Sequence, residues 1–125
     1  MSAAVARWLE EGVVVPAPHD SPWNSSLLPV RKKDLMGGWT KTRVCIDPRA
    51  INELLQDCPF MVPRVEDLFR RLQGFAVASS LDLQHCYHQF PIAVEDRVKT
   101  TFTWKGVRYM FAGTLFGFKH VTQNV

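Results

Sequence analysis

The chain has 125 residues, of which 46% are hydrophobic and 22% are charged, and its formal net charge is +3. This composition excludes an intrinsically disordered chain, and the length suits one domain with a modest core. The mild positive charge allows a polyanionic partner but does not by itself predict one.

The N-terminal part of the chain is predicted to form a helix, a short strand and a β-hairpin. Apolar residues at helical spacing predict a helix over residues 5–11, which Gly12 ends. A short extended piece follows at residues 13–15. Strands at 24–31 and 42–46 then form a hairpin, with a long turn over 32–41 between them.

Basic residues are concentrated on and just after this hairpin. They are Arg31, Lys32, Lys33, Lys41, Arg43 and Arg49, opposed in the same stretch only by Asp34 and Asp47. A charge cluster of this kind is usually a solvated surface, and the alternative is a surface for a polyanion.

The remaining elements alternate between helix and strand. The sequence predicts a helical turn over 50–55, a helix over 64–72, a buried strand over 75–83, a short helix over 94–98, and a second hairpin with strands at 100–104 and 107–111. The apolar face of the 64–72 helix consists of Val65, Leu68, Phe69 and Leu72. This order of elements predicts an α+β domain.

Asp82 lies between Leu81 and Leu83 at the end of the predicted buried strand. A carboxylate in apolar surroundings needs a partner or a metal ion, and Mg²⁺ is usually held by one or two carboxylates together with substrate phosphates. The alternative is that Asp82 caps a short helix that starts near Leu83, since aspartate is a good N-cap residue.

Histidine and cysteine residues give little support for a transition-metal site. His85 and His88 are three residues apart without an accompanying Glu or Cys set, which favours ordinary polar roles. Cys45, Cys58 and Cys86 form no Cys-x-x-Cys pair, so zinc is not expected, and their odd number favours an intracellular setting, cytoplasmic or nuclear. No signal peptide or membrane-spanning run is seen, so we expect no membrane association.

The order Leu81-Asp82-Leu83, then Tyr87-His88-Gln89, resembles the first catalytic motif of reverse transcriptases from gypsy-class LTR retrotransposons. Cys86 stands where that family usually has glycine, and cysteine does not readily take a positive φ. Further segments match the family in the correct order, so the resemblance covers nearly the whole chain. They are residues 8–13, 21–23, 30–34, 43–47, 49–52, 99–102 and 116–117.

This resemblance implies a reverse-transcriptase-like fingers subdomain with a partial palm. Residues 1–56 would form the first part of the fingers. Residues 57–90 would form the partial palm that carries Asp82. Residues 91–125 would form the second part of the fingers, together with a tail that departs from the family pattern.

The resemblance also implies roles for individual residues. Asp82 matches the first metal-binding aspartate, and the backbone carbonyl of Leu83 would be a further ligand of the Mg²⁺ expected for the family. Lys32 and Arg43 would contact the nucleotide triphosphate, and Tyr87 would exclude a 2′-hydroxyl. The other implied contacts with nucleotide or nucleic acid involve Lys33, Trp39, Arg49, Phe116 and Gly117.

Five of these residues have structural alternatives that the sequence leaves open, and for Lys32 and Arg43 the alternative is a solvent-exposed hairpin surface. Arg49 is as well suited to pair with Asp47 as to contact a template. Trp39 suits base stacking, and it equally suits covering the hairpin. For Phe116, a place in the core is the safer interpretation.

The sequence departs from the family at its C-terminal end. Leu115 replaces the usual proline, residues 118–125 are off pattern, and no Asp-Asp pair occurs anywhere in the chain. Two-metal catalysis needs several carboxylates, so we expect the chain alone to be catalytically incomplete, with weak or absent Mg²⁺ binding.

Three functions follow as hypotheses. The first is a truncated reverse-transcriptase domain that retains binding of RNA or DNA, or of protein. The second is part of an active reverse transcriptase whose other acids come from a longer protein or a partner chain. The third is a domesticated interaction module that forms a homodimer or captures a protein partner through an exposed strand edge.

Overall fold

The computed structural model describes residues 1–57, 59 and 61–119, and it has the α+β composition that the sequence predicts. Helices α1, α2 and α3 span Ser2–Glu10, Arg49–Leu54 and Val65–Arg71. Two 3-10 helices span Cys86–Gln89 and Val94–Thr100. Strands β1 to β5 span Val14–Pro16, Leu27–Lys33, Trp39–Ile46, Phe102–Trp104 and Val107–Phe111. In this part of the chain, no helix is long and apolar enough to cross a membrane.

Three antiparallel strands form the central sheet in the order β1-β5-β4. Strand β1 pairs with β5 so that Val14 lies opposite Phe111, which joins two segments far apart in the chain. Strands β4 and β5 form the predicted second hairpin. Its turn residues Lys105 and Gly106 have φ values of 50° and 78°, as a two-residue turn of this kind requires.

The core lies where α1 packs on this sheet. Phe102 and Phe111 are fully buried, and the Trp8 ring of α1 contacts the Phe111 ring edge-on at a centroid distance of 5.3 Å. Val5 on the same helix is also buried, as the helical periodicity predicts. Ile46, at the end of β3, joins the same cluster and so anchors the base of the first hairpin to the core.

The first hairpin, β2–β3, is a separate two-stranded sheet, and it is longer than the sequence predicts. Both strands extend into the segment 32–41, which was expected to be a turn. The turn is shorter because the Asp34 carboxylate accepts hydrogen bonds from the backbone N–H groups of Met36 and Gly38, at 2.9 and 2.7 Å. The register shifts between Arg31 and Lys33, where β3 carries an extra residue.

The prediction of a buried strand over residues 75–83 is wrong. No helix or strand is present between residues 72 and 85, and Phe75 and Leu81 are 69% and 92% exposed. A strand needs a neighbour to satisfy its backbone groups, and no segment in the described part of the chain pairs with this one. Helix α3 is confirmed, but its apolar face is exposed.

Candidate nucleic-acid interface

An exposed tryptophan and two cations come together on the β2–β3 hairpin. Trp39 is 62% exposed, and Lys33 lies opposite it in the register. The Lys33 Nζ lies 4.8 Å from the centroid of the Trp39 ring, and the Arg31 Cζ lies 5.9 Å from it. Cations at these distances are attracted to the ring face, so the hairpin presents positive charge and an aromatic surface at one place.

Lys32 and Arg43 lie on the other face of the hairpin. Side chains alternate along a strand, so Lys32 points away from its neighbours Arg31 and Lys33. Arg43 pairs with Val30, two residues before Lys32, and therefore shares this face. Neither side chain makes a hydrogen bond or ion pair with any described residue, although the Lys32 carbonyl accepts a hydrogen bond from Thr40 Oγ1 at 2.8 Å. The hairpin thus has two distinct cationic faces.

Arg49 forms an ion pair with Asp47, which is one of the two roles that the sequence left open for it. The Arg49 Nε lies 2.9 and 3.0 Å from the two Asp47 carboxylate oxygens, and Nη2 lies 2.5 Å from Oδ2. The hydrogen bonds from Arg49 lower the pKa of the Asp47 carboxyl. The bond from the Arg49 side chain has the larger effect, and the bond from its backbone N–H has the smaller one. Template contact by Arg49 stays a prediction.

Tyr87 and Phe116 are brought into direct contact. Their ring centroids lie 4.6 Å apart in an edge-on arrangement, and Phe116 is 44% exposed, so the interpretation of Phe116 as a core residue is wrong. The Thr114 hydroxyl donates to the Tyr87 carbonyl and so ties the 3-10 helix to the loop before Phe116. The two aromatic residues that the resemblance places near a nucleotide therefore form one surface.

Gly117 is held beside these rings by helix α2. Asn52 Nδ2 donates to the Gly117 carbonyl at 2.8 Å, and Asn52 Oδ1 accepts from the Lys119 N–H at 3.0 Å. Gly117 has a φ of 90°, and a Cβ atom there would lie 3.1 Å from Pro48 Cγ. Glycine is therefore required for both its backbone conformation and its close contact.

His88 packs against the core aromatic residues, whereas the sequence favoured an ordinary polar role for it. Its ring stacks on Phe111 at 6.2 Å, and its Nδ1 lies 2.9 Å from the Thr114 carbonyl, so Nδ1 carries the proton and donates it. Burial lowers the pKa of His88, while the hydrogen bond to Thr114 opposes this effect. The neutral imidazole is the form that fits.

Asp82 is exposed, contrary to the prediction of a poorly solvated carboxylate. It does not cap a helix either, because the 3-10 helix begins at Cys86 with His85 as its N-cap residue. The positive φ of this turn, 51°, falls on His85 instead of Cys86. The cysteine at the usual glycine position is therefore accommodated without strain of its own.

The residues present do not fit a two-metal centre. No group of three or more His, Cys, Asp or Glu side chains converges within the described ranges, and Asp82 is the one carboxylate of the predicted site. Two-metal chemistry requires carboxylates that hold both ions.

The sequence-predicted residues fall into separate groups. Lys33 and Trp39 are in contact, and so are Tyr87 and Phe116. No hydrogen bond, ion pair or ring contact among the described residues joins either group to Asp82, Leu83 or the other group.

Sequence reasoning did not identify three residues that hold this region together. Asn52 and Thr114 were missed because their partners are backbone carbonyls distant in sequence. Gly113 was missed because its φ is ordinary; its role is close approach, since a Cβ there would lie 2.2 Å from the His88 carbonyl oxygen. A glycine two residues after β5 was the one available signal.

Comparison with known proteins identifies relatives for nearly the whole chain, although no family model matches it. The retrovirus-related Pol polyprotein from transposon gypsy of Drosophila melanogaster is 32% identical over 120 residues, which is 94% of this chain and 11% of the polyprotein. An RNA-directed DNA polymerase homolog from Oenothera berteroana is 37% identical over 75 residues, covering 60% of this chain and 53% of that protein.

Solved structures agree on the fold. The foamy viral protease-reverse transcriptase in complex with dsDNA superposes with a TM-score of 0.72 at 23% identity, covering 98% of this chain and 24% of that chain. Prototype foamy virus protease-reverse transcriptase gives a TM-score of 0.68 at 22% identity, with 97% and 15% coverage. The sequence relatives of this chain thus include a retrotransposon Pol polyprotein and an RNA-directed DNA polymerase homolog, and the chain spans 11% and 53% of their lengths.

Proposed function

We propose that this chain is the fingers region of a retrotransposon reverse transcriptase with a partial palm, and that it binds RNA or DNA through the β2–β3 hairpin. Residues 1–56 and 91–125 are assigned to the fingers, and residues 57–90 to the partial palm. The observation that carries the proposal is the exposed Trp39 ring beside Arg31 and Lys33. The solved relative in complex with dsDNA supports it.

The chemistry of the hairpin suits a nucleic-acid backbone with accessible bases. Cations neutralise phosphates, and an exposed indole ring can stack on a base regardless of its identity. The Trp39 ring is 62% exposed, so a base can reach it beside the cations. Binding by this face is therefore expected to be salt-dependent and tolerant of sequence.

The second face of the hairpin is assigned to the triphosphate of an incoming nucleotide. Lys32 and Arg43 have no carboxylate partner among the described residues, so their charges are free to meet phosphate oxygens. Tyr87 and Phe116 supply an aromatic surface for the sugar, with Gly117 beside them. Asp82 and the carbonyl of Leu83 stay the predicted metal ligands of this site.

The chain by itself is not expected to synthesise DNA, because Asp82 is a single carboxylate where two-metal catalysis needs several. The second candidate function is part of an active enzyme. The chain spans only 11% of the gypsy polyprotein, which favours this candidate because most of the length of that relative lies outside the match. In that case a longer protein supplies the other acids. A primer-extension assay with Mg²⁺ and deoxynucleotides tests this, and extension by the chain alone would refute the expectation of incompleteness.

Localisation and assembly belong to the same proposal. The thiols of Cys45 and Cys86 are free, which supports an intracellular setting, cytoplasmic or nuclear. Capture of a protein partner was predicted to use an exposed strand edge, but residues 75–83 form no strand, so only exposed apolar side chains such as Leu81 remain there for a partner.

The test is a salt-titrated binding assay with an RNA–DNA hybrid, a DNA duplex and single strands. Trp39→Ala should weaken binding of single strands by about tenfold, since stacking on one base contributes roughly 1–3 kcal/mol. Lys33→Ala should reduce the slope of log affinity against log salt concentration by about one, the amount expected for one lost phosphate contact. The double variant Lys32→Ala/Arg43→Ala should instead weaken the part of the binding that requires an added deoxynucleotide.

The control is Lys105→Asn, which removes a cation from the β4–β5 turn, where asparagine tolerates the positive φ. It should leave binding unchanged. Absence of binding at low salt would refute the proposed function. Equal losses for Lys105→Asn and for the Lys33 variant would show that only net charge matters and that the hairpin is not a site.

A further inference from the structure

Residues 65–72 have a self-complementary sequence. The order is Val65, Glu66, Asp67, Leu68, Phe69, Arg70, Arg71, Leu72. Read in reverse, apolar positions fall on apolar positions, and acidic positions fall on basic ones. The centre of this pattern lies between Leu68 and Phe69.

The structure turns this pattern into a helix with an uncovered apolar stripe. Helix α3 spans Val65–Arg71, and Leu72 is its C-cap residue. Val65, Leu68, Phe69 and Leu72 lie at helical spacing on one face, and each is between 46% and 65% exposed. Beside Leu68, the stripe borders a groove of about 550 Å³ lined in part by Met61 and Val62.

The charges of α3 are divided between its two ends. Glu66 and Asp67 lie in the first turn, and Arg70 and Arg71 lie in the last turn. The contact between them within the chain is weak, since Arg70 Nη1 lies 3.9 Å from Asp67 Oδ1 and both side chains are largely exposed. The four charged groups therefore remain able to interact with a second molecule.

We propose that α3 is a homodimer interface, in which two copies of this chain pack their α3 helices antiparallel across a two-fold axis between Leu68 and Phe69. An isologous interface requires a surface that complements itself. Here the rotation places Val65 opposite Leu72 of the second copy and Leu68 opposite Phe69. It also places the acidic turn of each helix beside the basic turn of the other.

Charge complementarity is what selects a second copy over other occupants. An apolar stripe alone would fit any apolar partner. The division of α3 into an acidic and a basic end matches the reversed order of the same helix, and this match is independent of the nucleic-acid function proposed for the hairpin.

The first test is sedimentation equilibrium of the full chain over a wide concentration range. Self-association should strengthen with concentration, and Phe69→Ala should weaken it by roughly tenfold, since it removes the side chain nearest the axis. Leu35→Ala is the matched control, because Leu35 is a fully exposed apolar residue at the tip of the β2–β3 hairpin. This control should associate like the parent chain.

The second test exchanges charges. Arg70→Glu/Arg71→Glu makes the helix wholly acidic at these four positions, and Glu66→Lys/Asp67→Lys makes them wholly basic. Each variant alone should dimerise at least about tenfold more weakly than the parent, because its paired helices repel. An equimolar mixture should restore association as a heterodimer, and high salt should weaken that heterodimer.

Restoration in the mixture is the decisive result, because these variants also oppose the helix dipole and the loss in each variant alone could reflect a weakened helix. A parent chain that remains monomeric at all concentrations would overturn the proposal. So would a dimer that is unaffected by Phe69→Ala, or a mixture that associates no better than its components.

Discussion

Two apolar regions of this molecule differ in burial. In the sheet region, Phe102 and Phe111 are buried completely beneath α1. In residues 61–83, Phe75 and Leu81 are largely exposed, although their segment is as apolar in sequence. The two regions differ in what lies next to them and not in composition.

This difference shows that an apolar segment is buried only where a second layer of secondary structure packs against it. Strands β1, β5 and β4 satisfy one another's backbone groups, and α1 covers one face of their sheet. Within the described residues, no strand pairs with 75–83 and nothing covers the stripe of α3. The second region is therefore an exposed apolar surface, which the proposed α3 dimer would use.

The largest difference between the two regions should follow from truncating a phenylalanine in each. Phe111→Ala should lower the free energy of unfolding by about 3–5 kcal/mol, because it leaves a cavity in the core. Phe75→Ala should change it by no more than about 0.5 kcal/mol, as for other exposed positions. Urea unfolding measures both, and equal losses would show that Phe75 is buried in solution.

A second prediction concerns the loop that closes the sheet region. Gly113→Ala should lower the free energy of unfolding by about 1–3 kcal/mol, because the new Cβ would meet the His88 carbonyl oxygen at 2.2 Å. Gly12→Ala is the comparison: that glycine has open space around it but a φ of 68°. It should lose only about 1 kcal/mol from backbone strain. A larger loss for Gly12→Ala in thermal unfolding would contradict this ranking.

The same contrast explains how much of the fold could be predicted from sequence. Helix α1, helix α3 and both hairpins were predictable because their signals are local: helical periodicity, alternation, and the turn at Lys105-Gly106. The pairing of β1 with β5 was not, because it joins distant segments. The strand over 75–83 was predicted wrongly because apolar content indicates a strand only if a neighbour exists.

The candidate site was predictable by residue type and less so by geometry. The resemblance named Tyr87 and Phe116, and their rings are in contact. The apolar neighbours of Asp82 predicted a poorly solvated carboxylate, whereas the structure exposes it. The contacts made by Asn52 and Thr114 depend on backbone carbonyls that only the folded chain brings near, so no sequence pattern could reveal them.

A third prediction tests the connection between α2 and the loop that follows the sheet. Asn52→Ala removes the hydrogen bonds to the Gly117 carbonyl and the Lys119 N–H, and it should cost about 1–2 kcal/mol. Asn52→Asp retains an acceptor for the Lys119 N–H but sets a carboxylate oxygen against the Gly117 carbonyl, so its loss of stability should be at least as large. Hydrogen exchange at the Lys119 amide should rise in the alanine variant and remain slow in the aspartate variant. Equal exchange in both would show that Asn52 does not hold this loop.

The smallest expected effect is a pH dependence that belongs to the packed region alone. Burial lowers the pKa of His88 below its ordinary value of 6.5, so the unfolded chain binds the proton more readily than the folded chain. The stability contributed by His88 is therefore present above pH 6.5 and is lost as the pH falls through the lower, folded pKa. Arg7 and His85 oppose protonation of the ring, while Glu11 and the Thr114 carbonyl favour it.

His88→Asn isolates this contribution, because its amide can donate to the Thr114 carbonyl but does not titrate. The parent chain should lose more stability than His88→Asn between pH 7 and pH 5, a window set by the ordinary histidine pKa of about 6.5. His85→Asn should follow the parent profile closely, because His85 is exposed and does not pack in the core. Parallel profiles of stability against pH for the parent and His88→Asn would mean that His88 is solvated in the folded chain. The buried region around the sheet would then exclude the 3-10 helix at Cys86–Gln89.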